Sequence, residues 1–549
     1  MAKSKFMNKD EHLSAGFDKF ESGYKPPDPE PPKKKGFALT TETGKKLNIK
    51  SLAAGKFAYD IWTFKLDSKG SLAVLEGIYR EGLMQLLNKF GYYKRYKLDN
   101  TYKYVHEYDN IITAIEVAQI RDSVSEYVKS TKFINLNWDG LPFIASCEQQ
   151  KETFLRNSPS LFNDPILGHL SNHNKPILRD TDSEMYFPFQ NCIVVVTSEE
   201  IRIMPYSELK NMCIWKDHII KKSFTYSDDF VNGQYSAFIR NVAANELDRI
   251  NAFRSAIGYL MHNYSNPTTS KAVIAYDEQI AGKNEPAGGT GKGVFIHGVE
   301  QLRSVAIIDG KKIKDDNQFS YQMVTERTQV IAFDDVKHDF DFLVLNSNLT
   351  TGWQVEWKHK GAFRFSSTEN PKTYITSNTI LNGKGSTVTR RQFIIEFSPH
   401  YSKLVAKNIE PIVHTHGCMF FSDDWSLNEW NRFFSFMLDC AKYYLENGLQ
   451  SYKLISVAEN KLLQTTSDDF AEWINKQIID LDKECSVSEW FHDFKALYYG
   501  EESDFKQRAF TNWLKIFAVS KDCKLEMRRV NSGNQKVVFG KFTKKDTRT

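Results

Sequence analysis

Apolar and polar residues along this chain follow two periods, one typical of helices and one typical of strands. The spacing over Leu72 to Tyr92 and over Ile111 to Thr131 predicts helices. Short apolar runs such as Cys192 to Thr197 predict strands, and Ile201 to Tyr206 predicts the return strand of a hairpin. Residues 37–225 are therefore predicted to form a mixed α+β N-terminal domain.

A helical region follows and ends before a proline. Two amphipathic helices are predicted between Asp228 and Tyr264, and Asn266-Pro267 ends the pattern. The apolar residues of the second helix are Leu247, Ile250, Phe253, Ile257 and Leu260. We interpret residues 226–266 as a helical connector and oligomerisation segment.

The next part of the chain alternates apolar strand segments with polar loops from residue 271 to residue 400. This alternation is typical of an α/β nucleotide-binding core. Residues 267–450 are therefore predicted to form an α/β domain of this type, which ends with an aromatic-rich helix over Trp425 to Asn447.

The C-terminal part, residues 451–549, combines helices with a hairpin. Helices are predicted around Phe470 to Ile479 and Gln507 to Phe517, followed by a hairpin over Leu525 to Phe539 that turns at Asn531 to Asn534. Helices followed by a basic hairpin favour a winged-helix-like domain, with a plain interaction domain as the alternative.

Length and composition divide the chain further. Its 549 residues exceed what one hydrophobic core can hold. Residues 1–36 are polar and proline-rich, with Lys33 to Lys35 at their end, and cannot bury enough surface to fold. We predict a disordered basic tail that acts as a solvated linker, with nucleic-acid contact through the lysines as the alternative.

Candidate chemistry begins with a glycine-rich loop in the α/β core. A buried strand, Lys271 to Tyr276, precedes the loop, and a helix is predicted after it. Glycines allow backbone N–H groups to turn onto phosphate oxygens, and Lys292 would reach the β and γ phosphates, so the pattern predicts a P-loop that binds ATP. The predicted binding residues are Pro286, Ala287, Gly288, Gly289, Thr290, Gly291, Lys292, Gly293 and Val294.

This loop departs from the G-x-x-x-x-G-K-[ST] pattern at both ends. Pro286 stands at the first glycine position, and Gly293 replaces the hydroxyl residue that holds Mg²⁺. The ion would then rely on Asp334, water and the phosphates, or on Thr290. A glycine-rich turn without a ligand is the alternative for the loop taken alone.

An apolar strand that ends in two aspartates follows, over Thr328 to Val336. Asp334 is predicted to hold Mg²⁺ at the end of this strand, and Asp335 to polarise the attacking water. An exposed Asp-Asp turn after a core strand is the alternative.

A third strand, Lys372 to Asn378, again ends in a polar residue. Asn378 is predicted to hydrogen-bond the γ-phosphate or the lytic water. Arg390 and Arg391 precede the strand Phe393 to Phe397, and such a pair can reach a neighbouring subunit's γ-phosphate as an arginine finger. The sequence does not choose between the two arginines, and a surface or salt-bridge role is the alternative.

Two basic segments are candidate nucleic-acid contacts. Between the second and third strands, Lys358, His359 and Lys360 are suited to phosphate contact and stacking, with a solvated loop as the alternative. In the C-terminal tail basic residues outnumber acidic ones from Lys521 to Arg548. Its candidates for duplex contact are Arg528, Arg529 and Lys536.

The order of these motifs resembles the superfamily 3 helicases of DNA viruses and phages. Glu356 to Gly361 followed by Pro371 to Asn378 is similar to the hairpin and sensor segment of the papillomavirus replication helicase. The GGTGKG loop and the domain before it are more similar to the poxvirus and phage primase-helicase group. The resemblance is strong over residues 271–400 and looser over residues 40–262.

This resemblance implies an AAA+ type P-loop ATPase that assembles as a hexameric ring and translocates 3′ to 5′ on single-stranded DNA. It also implies ATP and Mg²⁺ bound between subunits, and a Lys358 to Lys360 hairpin that grips the strand in the central channel. We therefore expect an ATP-dependent DNA helicase that unwinds forked DNA during phage or mobile-element replication. A P-loop ATPase acting as a replication initiator or regulatory switch, which binds DNA without unwinding it, is the second hypothesis.

Primase chemistry is not expected in this chain. Asp180 and Asp182 form a D-x-D, but their flanks predict a loop instead of the paired acidic strands that a two-metal site needs. A separate primase, polymerase or other replication protein is therefore the expected partner.

Charge, cysteine spacing and hydropathy restrict the expected partners, metal sites and cellular location of the protein. A net charge of +4 neither demands nor excludes a polyanionic partner. The seven cysteines form no C-x-x-C pair, which argues against a zinc module or a disulfide framework. His414, His416 and Cys418 lack a second ligand cluster, so we interpret them as part of a strand or loop. No apolar run approaches the ~20 residues that cross a bilayer, and we expect a soluble protein in the cytoplasm of a bacterial host.

Overall fold

The computed structural model describes residues 49–53, 55–96, 100–278, 289–313, 321–337, 340–356, 362–381, 386–454, 466–477, 479, 483–500, 502–521, 523–532 and 535–544. Two compact units divide the chain, one formed mainly by residues up to Thr225 and the other mainly by residues from Tyr226 onward. The fold is mixed α/β with a parallel sheet. No helix within the described ranges is long and apolar enough to cross a membrane. The five-part domain division stays a prediction.

The first unit is built from three sheets and four α-helices within its described residues. Its strands are β1 (Lys50–Ala53), β2 (Lys56–Tyr59), β3 (Trp62–Leu66), β4 (Ala73–Ile78), β5 (Tyr92–Tyr96), β6 (Tyr102–Tyr108), β7 (Ile111–Ile115), β8 (Ile134–Trp138), β9 (Leu141–Ala145), β10 (Met185–Pro188), β11 (Ile193–Val196), β12 (Ile201–Met204) and β13 (Ile214–Trp215). Its helices are α1 (Arg80–Lys89), α2 (Val117–Lys129), α3 (Cys147–Asn157) and α4 (Asp164–Leu167). The strand orders are β1-β2-β3-β4-β9-β8, β13-β7-β6-β5 and β10-β11-β12.

Two predicted helices of this unit begin later than predicted, because a strand occupies the first residues of each segment. Residues 73–78 form β4, which pairs with β3 and β9, and α1 begins only at Arg80. Residues 111–115 form β7, which pairs with β6, and α2 begins at Val117. Pairing with other strands of the sheet therefore overrides the local helical spacing. The predicted hairpin is confirmed, since β12 pairs antiparallel with β11.

The remaining elements run from residue 226 onward. The strands up to residue 400 are β14 (Ala272–Asp277), β15 (Val305–Asp309), β16 (Val330–Val336), β17 (Gln354–Glu356), β18 (Ala362–Arg364), β19 (Lys372–Ser377) and β20 (Gln392–Phe397). The helices up to residue 447 are α5 (Gln234–Val242), α6 (Leu247–Met261), α7 (Lys292–Glu300), α8 (Leu345–Thr351), α9 (Ser386–Arg391), α10 (Ser402–Val405), α11 (Pro411–His416) and α12 (Leu427–Asn447).

Helices α5 and α6 are the two helices predicted for the connector. Leu247, predicted to start the apolar stripe of α6, is 71% exposed, whereas the helix from Ala252 to Met261 is buried on nearly all sides. Helix α12 packs along α6. A Cβ atom at Gly258 would lie 2.3 Å from the Cys440 carbonyl oxygen, so glycine permits this close helix contact.

A five-stranded parallel sheet forms the core of the second unit, in the order β15-β16-β19-β14-β20. Strands β14 and β19 are buried along their whole length. Parallel sheets are covered on both faces, which explains the near-continuous apolar runs seen in the sequence. In this order β19 separates β14 from β16, so the carboxyl ends of all three strands meet at one edge of the sheet.

The C-terminal elements form a small core of their own. In chain order they are α13 (Asp468–Lys476), β21 (Glu484–Ser486), α14 (Val487–Tyr498), α15 (Gln507–Ser520), β22 (Cys523–Ser532) and β23 (Gln535–Lys544). Strands β22 and β23 form an antiparallel hairpin, and β21 pairs with the outer side of β23. Helices α13 and α15 and the hairpin lie where the sequence predicts them. Helix α14 was missed, although Val487, Phe491 and Phe494 stand at helical spacing.

The interpretation of the H-x-H-x-C run as a strand or loop is wrong for the histidines, because His414 and His416 lie in helix α11. The His416 Nε2 atom lies 2.8 Å from the Tyr401 hydroxyl. Burial, assisted by His400, lowers the pKa of His416 to about 4. Within the described ranges no group of three His, Cys, Asp or Glu side chains could hold a metal ion, and all seven cysteines are free.

The D-x-D pair lies in a loop, as predicted. Asp180, ahead of β10, accepts a hydrogen bond of 2.8 Å from the backbone N–H of Tyr186 in that strand. The carboxylate therefore stabilises this turn.

Candidate nucleotide site

Polar side chains gather at the edge of the parallel sheet where β14, β16 and β19 end. Asp277 is the last residue of β14, Asp334 and Asp335 lie near the end of β16, and Asn378 follows β19. The apolar residues before them are buried in the sheet and fix the height at which each polar side chain emerges. The strand order therefore joins residues that are far apart in sequence.

The glycine-rich loop leads into helix α7 at the same edge. Gly289 and Gly291 have φ angles of 74° and 106°, and Gly291 is the N-cap residue of α7. A Cβ atom at Gly291 would lie 2.8 Å from the Phe238 ring, so both the backbone angle and the space require glycine. Val294 lies in the first turn of α7. Three predicted loop residues lie outside the described residues: Pro286, Ala287 and Gly288.

Lys292 is the first residue of α7, and its side chain is 11% exposed. Its ammonium group donates to Asp277 Oδ2 at 2.6 Å and to Asn378 Oδ1 at 2.8 Å. Its backbone carbonyl accepts a hydrogen bond of 3.0 Å from the Tyr374 hydroxyl. Lys292 is thus held between the ends of β14 and β19.

Asp277 and Thr290 form a second buried contact in the loop. The Thr290 hydroxyl donates to Asp277 Oδ1 at 2.5 Å, and the two residues are 5% and 7% exposed. Asp277 is not among the site residues predicted from the sequence. The available signal was a buried strand that ends in a carboxylate, the same pattern that identified Asp334.

The two aspartates of β16 face different partners. Asp334 Oδ1 accepts a hydrogen bond of 2.8 Å from the Thr376 hydroxyl, whose oxygen also accepts the backbone N–H of Asp335 at 2.7 Å. Asp335 has a φ angle of 51°, which non-glycine residues rarely adopt. Thr376 on the neighbouring strand therefore holds the Asp-Asp turn in place, a role that the sequence reasoning did not assign.

Asp335 is in turn linked to Asn378. The Asn378 amide nitrogen donates to Asp335 Oδ1 at 3.0 Å, while the amide oxygen accepts from Lys292. Lys311, in a one-turn helix after β15, forms an ion pair with Asp335 Oδ2. Lys311 therefore offsets part of the negative charge of the site, and its hydrogen bond to Asp335 raises the pKa of Lys311. One continuous set of contacts thus joins Lys292 to the two aspartates of β16.

The position of the missing hydroxyl is open. A Cβ atom at Gly293 would meet no atom within 4 Å. A small pocket between α7 and β16 is lined by Gly293, His297, Asp334 and Thr376, among others. The groups present fit a triphosphate and a cation, because a nine-residue helix starts at the loop, its lysine faces the sheet edge, and Asp334 borders the open space.

The two candidate arginine fingers differ in their surroundings. Arg390 is exposed at the end of α9. Arg391 is 6% exposed, and its guanidinium donates to the Pro267 and Ser270 carbonyl oxygens at 2.7 and 2.9 Å. Arg391 therefore anchors the segment that enters β14, and Arg390 is the arginine placed to reach outward.

The candidate DNA contacts are only partly described. Lys358, His359 and Lys360, between β17 and β18, lie outside the described residues. Arg528 and Arg529 are exposed on β22, and Arg528 donates to Glu484 at 2.8 Å. Lys536 lies in β23, and its side chain is outside the description.

Helix α15 also carries exposed polar residues, which are not among the DNA contacts predicted from the sequence. Its exposed residues include Arg508, Asn512 and Lys515, at helical spacing. The helix contains no acidic residue.

Comparisons with known proteins give distant likenesses only. No protein-family model and no curated protein sequence matches the chain. The apo structure of the NrS-1 C-terminal region is similar at 11% identity and a TM-score of 0.36, over 84% of this chain and 98% of that one. The X-ray structure of JCV helicase is similar at 12% identity and a TM-score of 0.23, over 37% of this chain and 59% of that one. At these values neither likeness carries a functional argument.

Proposed function

We propose that this chain is an ATP-dependent DNA helicase of the superfamily 3 type, built on an AAA+ type P-loop ATPase core. The observation that carries the proposal is the set of contacts from Lys292 through Asn378 to Asp335. A P-loop lysine, a polar residue at the end of the central strand and a pair of carboxylates are the parts that ATP hydrolysis requires. They come from three separate motifs and meet at one edge of one sheet.

ATP would bind across the loop and the first turn of α7. Backbone N–H groups at the start of a helix favour phosphate, and Lys292 adds a positive charge for the β and γ phosphates. Asp334 would hold Mg²⁺, which neutralises phosphate charge when bound. The remaining predicted loop residues from Pro286 to Val294 would contact the nucleotide mainly through their backbone.

Hydrolysis would depend on Asp335 and Asn378. Asp335 would accept a proton from the attacking water, and Asn378 would orient that water or the γ-phosphate. Because Asn378 already contacts both Lys292 and Asp335, it is positioned between the phosphate-binding and the water-activating groups.

We propose that the chain works as a homo-oligomer, a hexameric ring in which Arg390 reaches the γ-phosphate held by the neighbouring subunit. Arg390 is favoured over Arg391 by its exposure. In the ring, Lys358, His359 and Lys360 would contact single-stranded DNA and carry it 3′ to 5′. Residues 226–266 would support oligomerisation, and residues 1–36 and 37–225 would precede the ATPase domain as a tail and an accessory domain.

Residues 451–549 are proposed to form a winged-helix-like domain that binds duplex DNA. Support comes from the element order of α13 to β23 and from the basic hairpin, which carries Arg528, Arg529 and Lys536. A separate primase, polymerase or other replication protein, in the cytoplasm of a bacterial host, completes the proposed setting.

Unwinding of a forked DNA substrate tests the proposal directly. The full chain, with ATP and Mg²⁺, is expected to hydrolyse ATP faster when single-stranded DNA is added and to unwind forks of one polarity. A Lys292→Ala variant should lose hydrolysis and unwinding while it keeps DNA binding. An active ATPase that ignores single-stranded DNA and unwinds neither polarity would contradict the helicase proposal.

Gly293 favours a second candidate, a replication initiator or regulatory switch that binds DNA without unwinding it. No hydroxyl is available at this position for Mg²⁺, which suits a site that binds nucleotide and hydrolyses it slowly. DNA binding that responds to nucleotide, and biological activity that survives Lys292→Ala, would favour this candidate.

A further inference from the structure

Asp277 forms an ion pair with Lys292, the residue whose positive charge a bound nucleotide would need. One of its carboxylate oxygens accepts from Lys292 at 2.6 Å, and the other accepts from Thr290 at 2.5 Å. The side chains of Asp277 and Lys292 are 8% and 11% exposed. At this burial the ion pair is screened little by water, so Asp277 neutralises most of the lysine's charge.

The position of Asp277 is fixed by its neighbours on both sides. The next residue, Glu278, forms an ion pair of 2.9 Å with the buried Arg249, and its backbone N–H donates to the Phe397 carbonyl. Residues 272–277 of β14 pair with β20 on one side, and residues 272–275 pair with β19 on the other. The carboxylate therefore stays beside the loop when Lys292 turns toward a phosphate.

We propose that Asp277 is an internal competitor of the nucleotide for Lys292, which stabilises the empty site and lowers its affinity for ADP and ATP. This inference rests on the proposed nucleotide site. When phosphate takes Lys292, Asp277 is left as a buried negative charge beside a negative ligand, and this repulsion opposes binding. Asp277 is thus a positioning residue that sets nucleotide affinity and favours release after hydrolysis.

An Asp277→Asn substitution tests the competition, because it keeps the shape and an acceptor oxygen and removes the charge. We expect the full chain with Asp277→Asn to bind ADP and ATPγS about tenfold more tightly than the wild type, measured by calorimetry. Asp309→Asn is the matched control. Asp309 ends β15 at the same edge but pairs with the exposed Lys312 at 2.9 Å, so its loss should change affinity less than about twofold.

Thermal unfolding supplies a readout that does not depend on catalysis. Without nucleotide, Asp277→Asn should unfold at a lower temperature than the wild type, because Lys292 loses its charged partner. With saturating ADP, the unfolding temperature of Asp277→Asn should equal or exceed that of the wild type. Unchanged or weaker nucleotide binding by a folded Asp277→Asn protein would overturn the inference and leave the proposed function standing. A wild-type chain that binds neither nucleotide would overturn both.

Discussion

Asn378 shows how a single amide connects the proposed steps of hydrolysis. Its oxygen accepts a hydrogen bond from Lys292 and its nitrogen donates one to Asp335, so one side chain contacts both the proposed phosphate-binding residue and the proposed water-activating residue. Thr376, two residues earlier, points to the other aspartate and fixes the backbone of the Asp-Asp turn. The end of β19 therefore positions most of the candidate site.

The two adjacent arginines should separate catalysis from stability. Arg390→Ala is expected to abolish ATP hydrolysis by the assembled protein without changing the unfolding temperature, because Arg390 is exposed. Arg391→Ala should destabilise the fold by about 1–3 kcal/mol, since it removes the donor from the part-buried Pro267 carbonyl and the buried Ser270 carbonyl. Thermal unfolding and ATPase assays on both variants measure this. The reverse pattern would assign the finger to Arg391.

Restoring the missing hydroxyl gives a second test at the residue scale. Gly293→Ser places a hydroxyl in open space beside the pocket that Asp334 lines. We expect the Mg²⁺ concentration for half-maximal ATPase activity to fall about fivefold, because the ion gains a ligand. Gly293→Ala supplies the control without an oxygen. An equal response of the two variants would mean that Mg²⁺ does not approach this position.

Candidate site residues could be predicted from the sequence wherever a single local motif contains them. Lys292, Asp334, Asp335 and Asn378 follow from strand ends and a glycine loop, and the structure brings them to one edge of the sheet. Asp277 was missed, although its strand ends in a carboxylate as that of Asp334 does, because its partners Thr290 and Lys292 meet it only in the folded structure. The same reason explains why Thr376 and Lys311 received no role.

At the scale of elements, the start of α7 requires a glycine at Gly291 but not at Gly293. Gly291→Ala should destabilise the protein by about 1–3 kcal/mol, because φ is 106° and the Phe238 ring lies 2.8 Å from the new Cβ. Gly293→Ala should be neutral or stabilising by up to about 1 kcal/mol, since it lies inside the helix in open space. Urea unfolding of the two variants provides the comparison, and equal stabilities would contradict it.

Element boundaries could be predicted where the period is unbroken and were wrong where a strand runs directly into a helix. The junction at residues 78–80 reads as one helical segment, because its apolar residues suit both periods. Only the pairing of β4 with β3 decides between them. The order β15-β16-β19-β14-β20 likewise depends on contacts between distant segments, so the sequence predicted an α/β core without its topology.

At the scale of the whole molecule, two separate basic regions are proposed to contact DNA. Along the sequence, Lys358 to Lys360 lie between β17 and β18, whereas the hairpin of β22 and β23 belongs to the C-terminal elements, which have a hydrophobic core of their own. If the regions act separately, duplex binding through the hairpin should be removable without loss of stimulation by single-stranded DNA.

Arg529→Ala tests this separation. Each lost phosphate contact should reduce the slope of log K against log salt for duplex binding by about 1, and Arg529 is exposed on β22. Arg528→Ala should change the slope less, because Arg528 already pairs with Glu484 at 2.8 Å. Fluorescence anisotropy over a salt series gives the slopes, and ATPase assays with single-stranded DNA give the second readout. A parallel loss of both activities in Arg529→Ala would show that the hairpin serves the same DNA strand as the ATPase core.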